Sequence, residues 1–148
     1  MGKIFLEGKE VGAGFGHLYL VYQDDSGNEW VIRGGPDGFP PAPYLIEIGE
    51  SLATSADARG SETPAERGQI ELDLDGRNAA DVWAIMLQQA LAIQSESLPY
   101  ITFSQNSNSV VASVMNVVGL DLPASLPLSS TLSYPADDNF LEFDYALD

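Results

Sequence analysis

Gly16-His17-Leu18-Tyr19-Leu20-Val21-Tyr22, then Asp24-Asp25-Ser26-Gly27-Asn28, then Trp30-Val31-Ile32 is the stretch that decides the fold class. The two outer runs are rich in aromatic and β-branched residues, which fit a pleated, half-buried surface. The middle run is turn chemistry, because Asp and Asn form local side-chain turns and Gly accepts positive φ. Together they predict a β-hairpin. A turn centred on Ser26-Gly27 sets Arg33 and Gly34 opposite Leu20 and Tyr19. Gly34-Gly35-Pro36 then ends the second strand, since Pro removes a ladder donor.

Working outward, residues 3–6 read as another strand, with Gly12, Gly14 and Gly16 as a flexible lead-in to the hairpin. Tyr44, Ile46 and Ile48 fall at alternate positions, as do Ile70, Leu72 and Leu74, so each set predicts a half-buried strand. Residues 50–68 between them are rich in Ser, Ala, Thr, Glu and Gly without apolar rhythm, and predict a mobile surface loop or flap.

From Gly76 the period changes. Asn78 followed by Asp81 resembles a capping box, and Val82, Ile85, Met86, Gln89 and Ile93 follow at helical spacing. Pro99 stops this helix. A polar knot, Ser104-Gln105-Asn106-Ser107-Asn108-Ser109, precedes an apolar stripe of Val110, Val111, Val114, Met115 and Val118, with Gly119 placed as a C-terminal glycine. This is a second helix of about three turns whose N-terminus is the knot. Residues 120–148, with Pro123, Pro127 and Pro135, predict an extended wrap over the domain. The class is α+β: an antiparallel sheet with two main helices.

The 148 residues suit one domain, 1–148, long enough to bury a core. With 22 Asp plus Glu against 6 Lys plus Arg, the net charge of −16 argues against a nucleic-acid grip, which needs clustered cations. No Cys excludes disulfides, zinc ribbons, iron–sulfur clusters and a thiol nucleophile; one His excludes a two-His metal site. No metal or cofactor is expected, and no calcium loop is present. Nothing reads as a targeting segment or a membrane span, so a soluble chain is expected, its compartment left open. All six cations lie in the first 77 positions, and the last is Arg77. The ordinary meaning of such acidity is a solvated surface; a sharper one is a basic protein partner.

Two features stand apart from the scaffold: His17 on a strand, and Gln105-Asn106-Ser107-Asn108-Ser109 opening a helix. A hydroxyl at a helix N-terminus faces unpaired N–H groups and the positive end of the dipole, which favour a developing anion. An imidazole within hydrogen-bond reach serves as a general base. Each feature also has a plainer meaning: a structural histidine, and a set of helix caps.

The order of these parts resembles the circularly permuted papain-like hydrolases, relatives of NlpC-type cell-wall peptidases, the lecithin–retinol acyltransferase group and the PPPDE peptidases. In those families an N-terminal strand carries the His and the nucleophilic Cys opens a later helix. The motif has the form Asn-Cys-Asn-Ser, and Asn106-Ser107-Asn108-Ser109 matches it with Ser107 in the cysteine place. The likeness runs in outline over residues 15–120 and in detail over about a dozen residues. It implies hydrolysis or transfer at an amide, peptide or thioester bond: residue 107 attacks the carbonyl, His17 takes and returns the proton, and the helix N-terminus holds the oxyanion. Gln105, Asn106 and Asn108 are the amides it offers for the oxyanion or substrate. A third residue would come from the strand after His17, where Asp37 is the nearest carboxylate; the alternative for Asp37 is a simple turn.

The departure is Ser107. A helix-terminal Cys beside a His becomes a thiolate near neutral pH, and a serine hydroxyl does not. Ser here signals an inactive relative or a cysteine replaced to trap the protein, although Ser with a base also acts in serine triads. The resemblance further implies bacterial secreted effectors, peptidoglycan amidases or peptide-processing modules. The expectation is therefore a hydrolase-type domain with a peptide or amide substrate, poorly active in this form. The alternative is a non-catalytic acidic binding or immunity protein for a basic partner.

Overall fold

The computed structural model describes residues 2–12, 15–36, 44–51, 67–95 and 107–123. Among the described residues, five strands precede two helices: β1 (Lys3–Gly12), β2 (Phe15–Gln23), β3 (Glu29–Pro36), β4 (Tyr44–Ser51), β5 (Ile70–Glu71), α1 (Ala79–Ser95) and α2 (Ser107–Val117). The strands form one antiparallel sheet in the order β4-β3-β2-β1-β5, of which β5 is a two-residue edge. The class is α+β.

Strand alternation divides the sheet into two buried faces. One carries Ile4, Leu6, Leu18, Leu20 and Ile32, and both helices pack on it through Val82, Trp83, Met86, Ile93, Val110, Val111, Val114 and Met115. The other carries Phe5, Tyr19, Val21 and Val31. The first face is the main core, and it is also where Tyr22 stacks on Trp83 with ring centroids 5.6 Å apart.

The hairpin forms where expected but in a different register. Leu20 stands opposite Ile32 and Val21 opposite Val31, one residue away from the sequence expectation. The reason lies in the turn. Asp24 N–H donates to Asn28 O at 2.9 Å, and Asp24 Oδ1 accepts Ser26 N–H and Asn28 N–H, each at 2.9 Å. Gly27 takes φ +86. The turn is therefore centred on Ser26 itself, and in a strand one residue of slip exchanges the two faces.

Other boundaries also move. Gly12 and Gly16 of the expected lead-in lie in paired strands instead, for β1 runs to Gly12 and pairs it with Phe15 after a register irregularity past Glu10. Of the 50–68 flap, Glu50 and Ser51 lie in β4, while Arg67 is buried. Residues 52–66, and 124 onward of the expected wrap, lie outside the described residues. The strand expected through Leu74 ends at Glu71. Leu72 N–H still reaches Ile4 O at 2.9 Å, but Asp73 Oδ1 then accepts Asp75 N–H and the chain turns away at Asp75 and Gly76 with positive φ.

Both helices follow their local signals. Asn78 Oδ1 accepts Asp81 N–H at 3.2 Å as an N-cap. The buried stripe of α1 is Ala79, Val82, Trp83, Met86, Gln89, Ala90 and Ile93; Ile85, expected in it, is 47% exposed. Trp83 fills the core side of that turn, and its bulk sets which face of the helix points inward. At the end of α2, Leu120 N–H bonds Met115 O and Gly119 N–H bonds Asn116 O, with Gly119 at φ +76. That pair of bonds is a Schellman cap. Arg77 ties the start of α1 to this cap, donating from Nη1 to Val118 O at 2.7 Å.

Candidate functional site

The site is built from a parting of two strands. β2 and β3 pair from Gln23↔Glu29 to Leu20↔Ile32 and no further, whereas β3 continues beside β4 through Pro36↔Tyr44. The β3–β4 register shifts between Val31 and Arg33, next to the residue where β3 leaves β2. A bulge of this kind bends the strand and ends pairing locally. Leu18 lies two residues beyond the last β2–β3 pair, and its N–H needs a partner from elsewhere.

The leading end of α2 supplies it. Asn108 Oδ1 accepts Leu18 N–H at 2.7 Å, a buried bond between residues 90 apart in sequence. The carboxamide is 1% exposed, so it works without competition from water. Close by in the same helix, Val110 lies against Gly34: a Cβ there would stand 2.7 Å from Val110 Cγ2 and 3.2 Å from Val110 Cβ. The missing side chain at Gly34 is what lets α2 sit this close. Ser113 Oγ bonds back to Ser109 O at 2.7 Å, a side-chain bond within the helix itself.

Because Leu18 N–H lies in the plane of the sheet, the first turn of α2 reaches into that plane. Ser107 is the first residue of the helix and immediately precedes Asn108. His17 immediately precedes Leu18. The structure therefore brings the helix start and the histidine strand together, through their direct chain neighbours. The His17 side chain, 5% exposed, belongs to the sheet face opposite the apolar stripe of α2 and stacks on Tyr19 with centroids 6.0 Å apart and planes at 28°.

The remaining sequence candidates divide plainly. Asn108 is placed, and its oxygen is committed to Leu18, which makes it the clamp between helix and strand. Asp37, Gln105 and Asn106 lie outside the described residues.

Sequence reasoning passed over a second polar cluster on the face of His17. Glu7 is fully buried, and its two oxygens accept Arg67 Nε–H and Gln69 Nε2–H, each at 2.7 Å. Arg67 is 4% exposed and also lies 3.7 Å from Glu29 Oε2. Its backbone O accepts Gly8 N–H at 2.9 Å. Burial pushes the Glu7 carboxyl above the usual carboxylate range, against the opposing pull of Gln69, the Arg67 charge and Tyr19. The readable signal was local: after Ile4-Phe5-Leu6, strand alternation puts Glu7 on a buried face, where a charge needs a partner.

Among the described residues no group of three or more His, Cys, Asp or Glu side chains could hold a metal ion, and no helix is long and apolar enough to cross a membrane. Compared with known protein families, curated proteins and solved structures, the chain matches none of them.

Proposed function

We propose that this chain follows the plan of a permuted papain-like amide or peptide hydrolase, with thioesters as the related substrate class. His17 is the general base, residue 107 holds the nucleophile's place, and the Ser107 form turns over slowly or not at all. The observation that carries this reading is the 2.7 Å bond from Leu18 N–H to Asn108 Oδ1, which ties the first turn of a helix to the strand position next to the only histidine. In the reaction, the side-chain oxygen of residue 107 attacks the carbonyl carbon as His17 accepts its proton. The backbone N–H groups of the α2 start stabilise the oxyanion. His17 then returns the proton to the leaving amine, and water releases the acyl group by the same steps. A Ser hydroxyl stays protonated near neutral pH, so nearly all of the activation falls on His17.

The test is Ser107→Cys with a small alkylating probe and an amide or ester substrate. The introduced thiol alkylates faster than a free thiol, and His17→Ala removes that advantage. Alkylation at the free-thiol rate, with no turnover of any substrate, sinks the hydrolase reading.

The charge of −16, with no Lys or Arg after Arg77, favours a second reading: a non-catalytic binding protein for a basic partner. Its signature is salt-sensitive association with a basic protein that survives His17→Ala.

A further inference from the structure

An imidazole acts at one atom only if its ring plane and tautomer are held. Tyr19 bears on the His17 ring directly, stacked at 6.0 Å and 28°. Stacking suits this task, because both imidazole nitrogens lie in the ring plane and a face-on neighbour does not consume them. Tyr19 is itself fully buried. Directly opposite it across β1 and β2 stands Glu7, also fully buried.

Glu7 is fastened at both oxygens, to Arg67 Nε and to Gln69 Nε2. A carboxylate held by two charge-assisted or amide donors in a water-free setting keeps its orientation. Glu7 and Tyr19 are a cross-strand pair, and His17 follows one pleat further along the same face.

We propose that Tyr19 is a positioning residue for His17, seated in turn by Glu7. The file Glu7–Tyr19–His17 then does the orienting work that a separate third residue does in a triad. Its purpose rests on the hydrolase reading, while its geometry does not. The other meaning of Tyr19 is simple filling of the second core with Phe5, Val21 and Val31. Filling would leave the imidazole indifferent to what occupies position 19.

The single histidine makes the test direct, because the chain gives one set of imidazole signals. In the natural sequence, nuclear Overhauser contacts connect the His17 and Tyr19 rings, and the long-range proton–nitrogen spectrum shows one dominant tautomer. Tyr19→Phe keeps both features, since the ring remains. Tyr19→Leu, checked for folding by its amide spectrum, averages the tautomers. Absence of ring-to-ring contacts in the natural sequence, or an unchanged imidazole in folded Tyr19→Leu, overturns the proposal without any variant of residue 107.

The catalytic half is read in the Ser107→Cys background. Tyr19→Leu lowers the His17-dependent alkylation rate by about tenfold or more, the scale of losing aligned geometry, and Tyr19→Phe restores most of it. Alkylation that depends on His17 but ignores Tyr19→Leu overturns the positioning role alone. Alkylation that ignores His17 removes the hydrolase reading, and the catalytic purpose of the file with it.

Discussion

Asn108 and Leu18 are 90 residues apart in sequence, and one buried 2.7 Å hydrogen bond joins the carboxamide of the first to the backbone N–H of the second. The bond fills the place that β3 vacates when it parts from β2 after Leu20↔Ile32. Removing it leaves a buried donor without its acceptor. Asn108→Ala is expected to lower stability by about 1–3 kcal/mol, the penalty for an orphaned buried polar group. Urea unfolding measures the loss. Faster hydrogen exchange at the Leu18 amide, beyond the global change, locates it. A variant as stable as the natural chain would mean that the helix start is held by other contacts.

Gly34 makes the complementary prediction on the flank of the same helix. A methyl group there would stand 2.7 Å from Val110 Cγ2 and 3.2 Å from Val110 Cβ. Val110 is fully buried and β-branched, so it cannot swing aside cheaply. Gly34→Ala should cost about 1–3 kcal/mol through overpacking. Gly34→Ala combined with Val110→Ala should recover part of that cost, and a double-mutant cycle in urea decides whether the two sites couple.

What was legible in the sequence was local. The Asp24–Asn28 turn, the Val110–Val118 stripe and the Gly119 cap each depend on neighbours within a few residues, and each appears in the structure. The hairpin register was one residue out because sequence does not say whether Asp24 stands opposite Asn28 or Glu29 across the turn. Asn108 looked like a cap or an oxyanion amide, since its actual partner lies on another element. Glu7 and Arg67 were missed for the same reason: the pair spans 60 residues, and half of it sits at the edge of a segment with no periodicity. On α1, Ile85 and Trp83 compete for the same inward turn, and a periodicity count alone cannot rank a branched aliphatic residue against the bulkier indole.

That competition has a measurable consequence. Ile85 is 47% exposed and Met86 is fully buried. Ile85→Gln should change stability by no more than about 0.5 kcal/mol, the usual scale for surface substitutions. Met86→Ala should cost about 2–5 kcal/mol, from lost transfer energy and a cavity beneath the sheet. Chemical denaturation of the two variants side by side tests the assignment; a reversed order would put the wrong face of α1 against the sheet.

The Glu7–Arg67 pair carries the pH prediction. Burial raises the Glu7 carboxyl above its ordinary value of 4.5, and the partners recover only part of that shift. A raised native pKa means that the folded chain binds this proton more tightly than the unfolded chain. The resulting stabilisation is fully present below the unfolded value and is lost as pH rises through the folded one. Because Glu7 is one of 22 Asp and Glu residues, the pH dependence of the natural chain alone does not isolate its effect. Glu7→Gln supplies the reference, as it keeps the shape and cannot ionise. Between the two chains, the difference in unfolding free energy should move with pH only from about 4.5 upward into the raised range, the natural chain losing ground as Glu7 ionises. Urea midpoints taken every half pH unit measure that difference. A difference that moves the opposite way would mean that Arg67 and Gln69 more than offset the burial of Glu7, and that its native pKa is lowered.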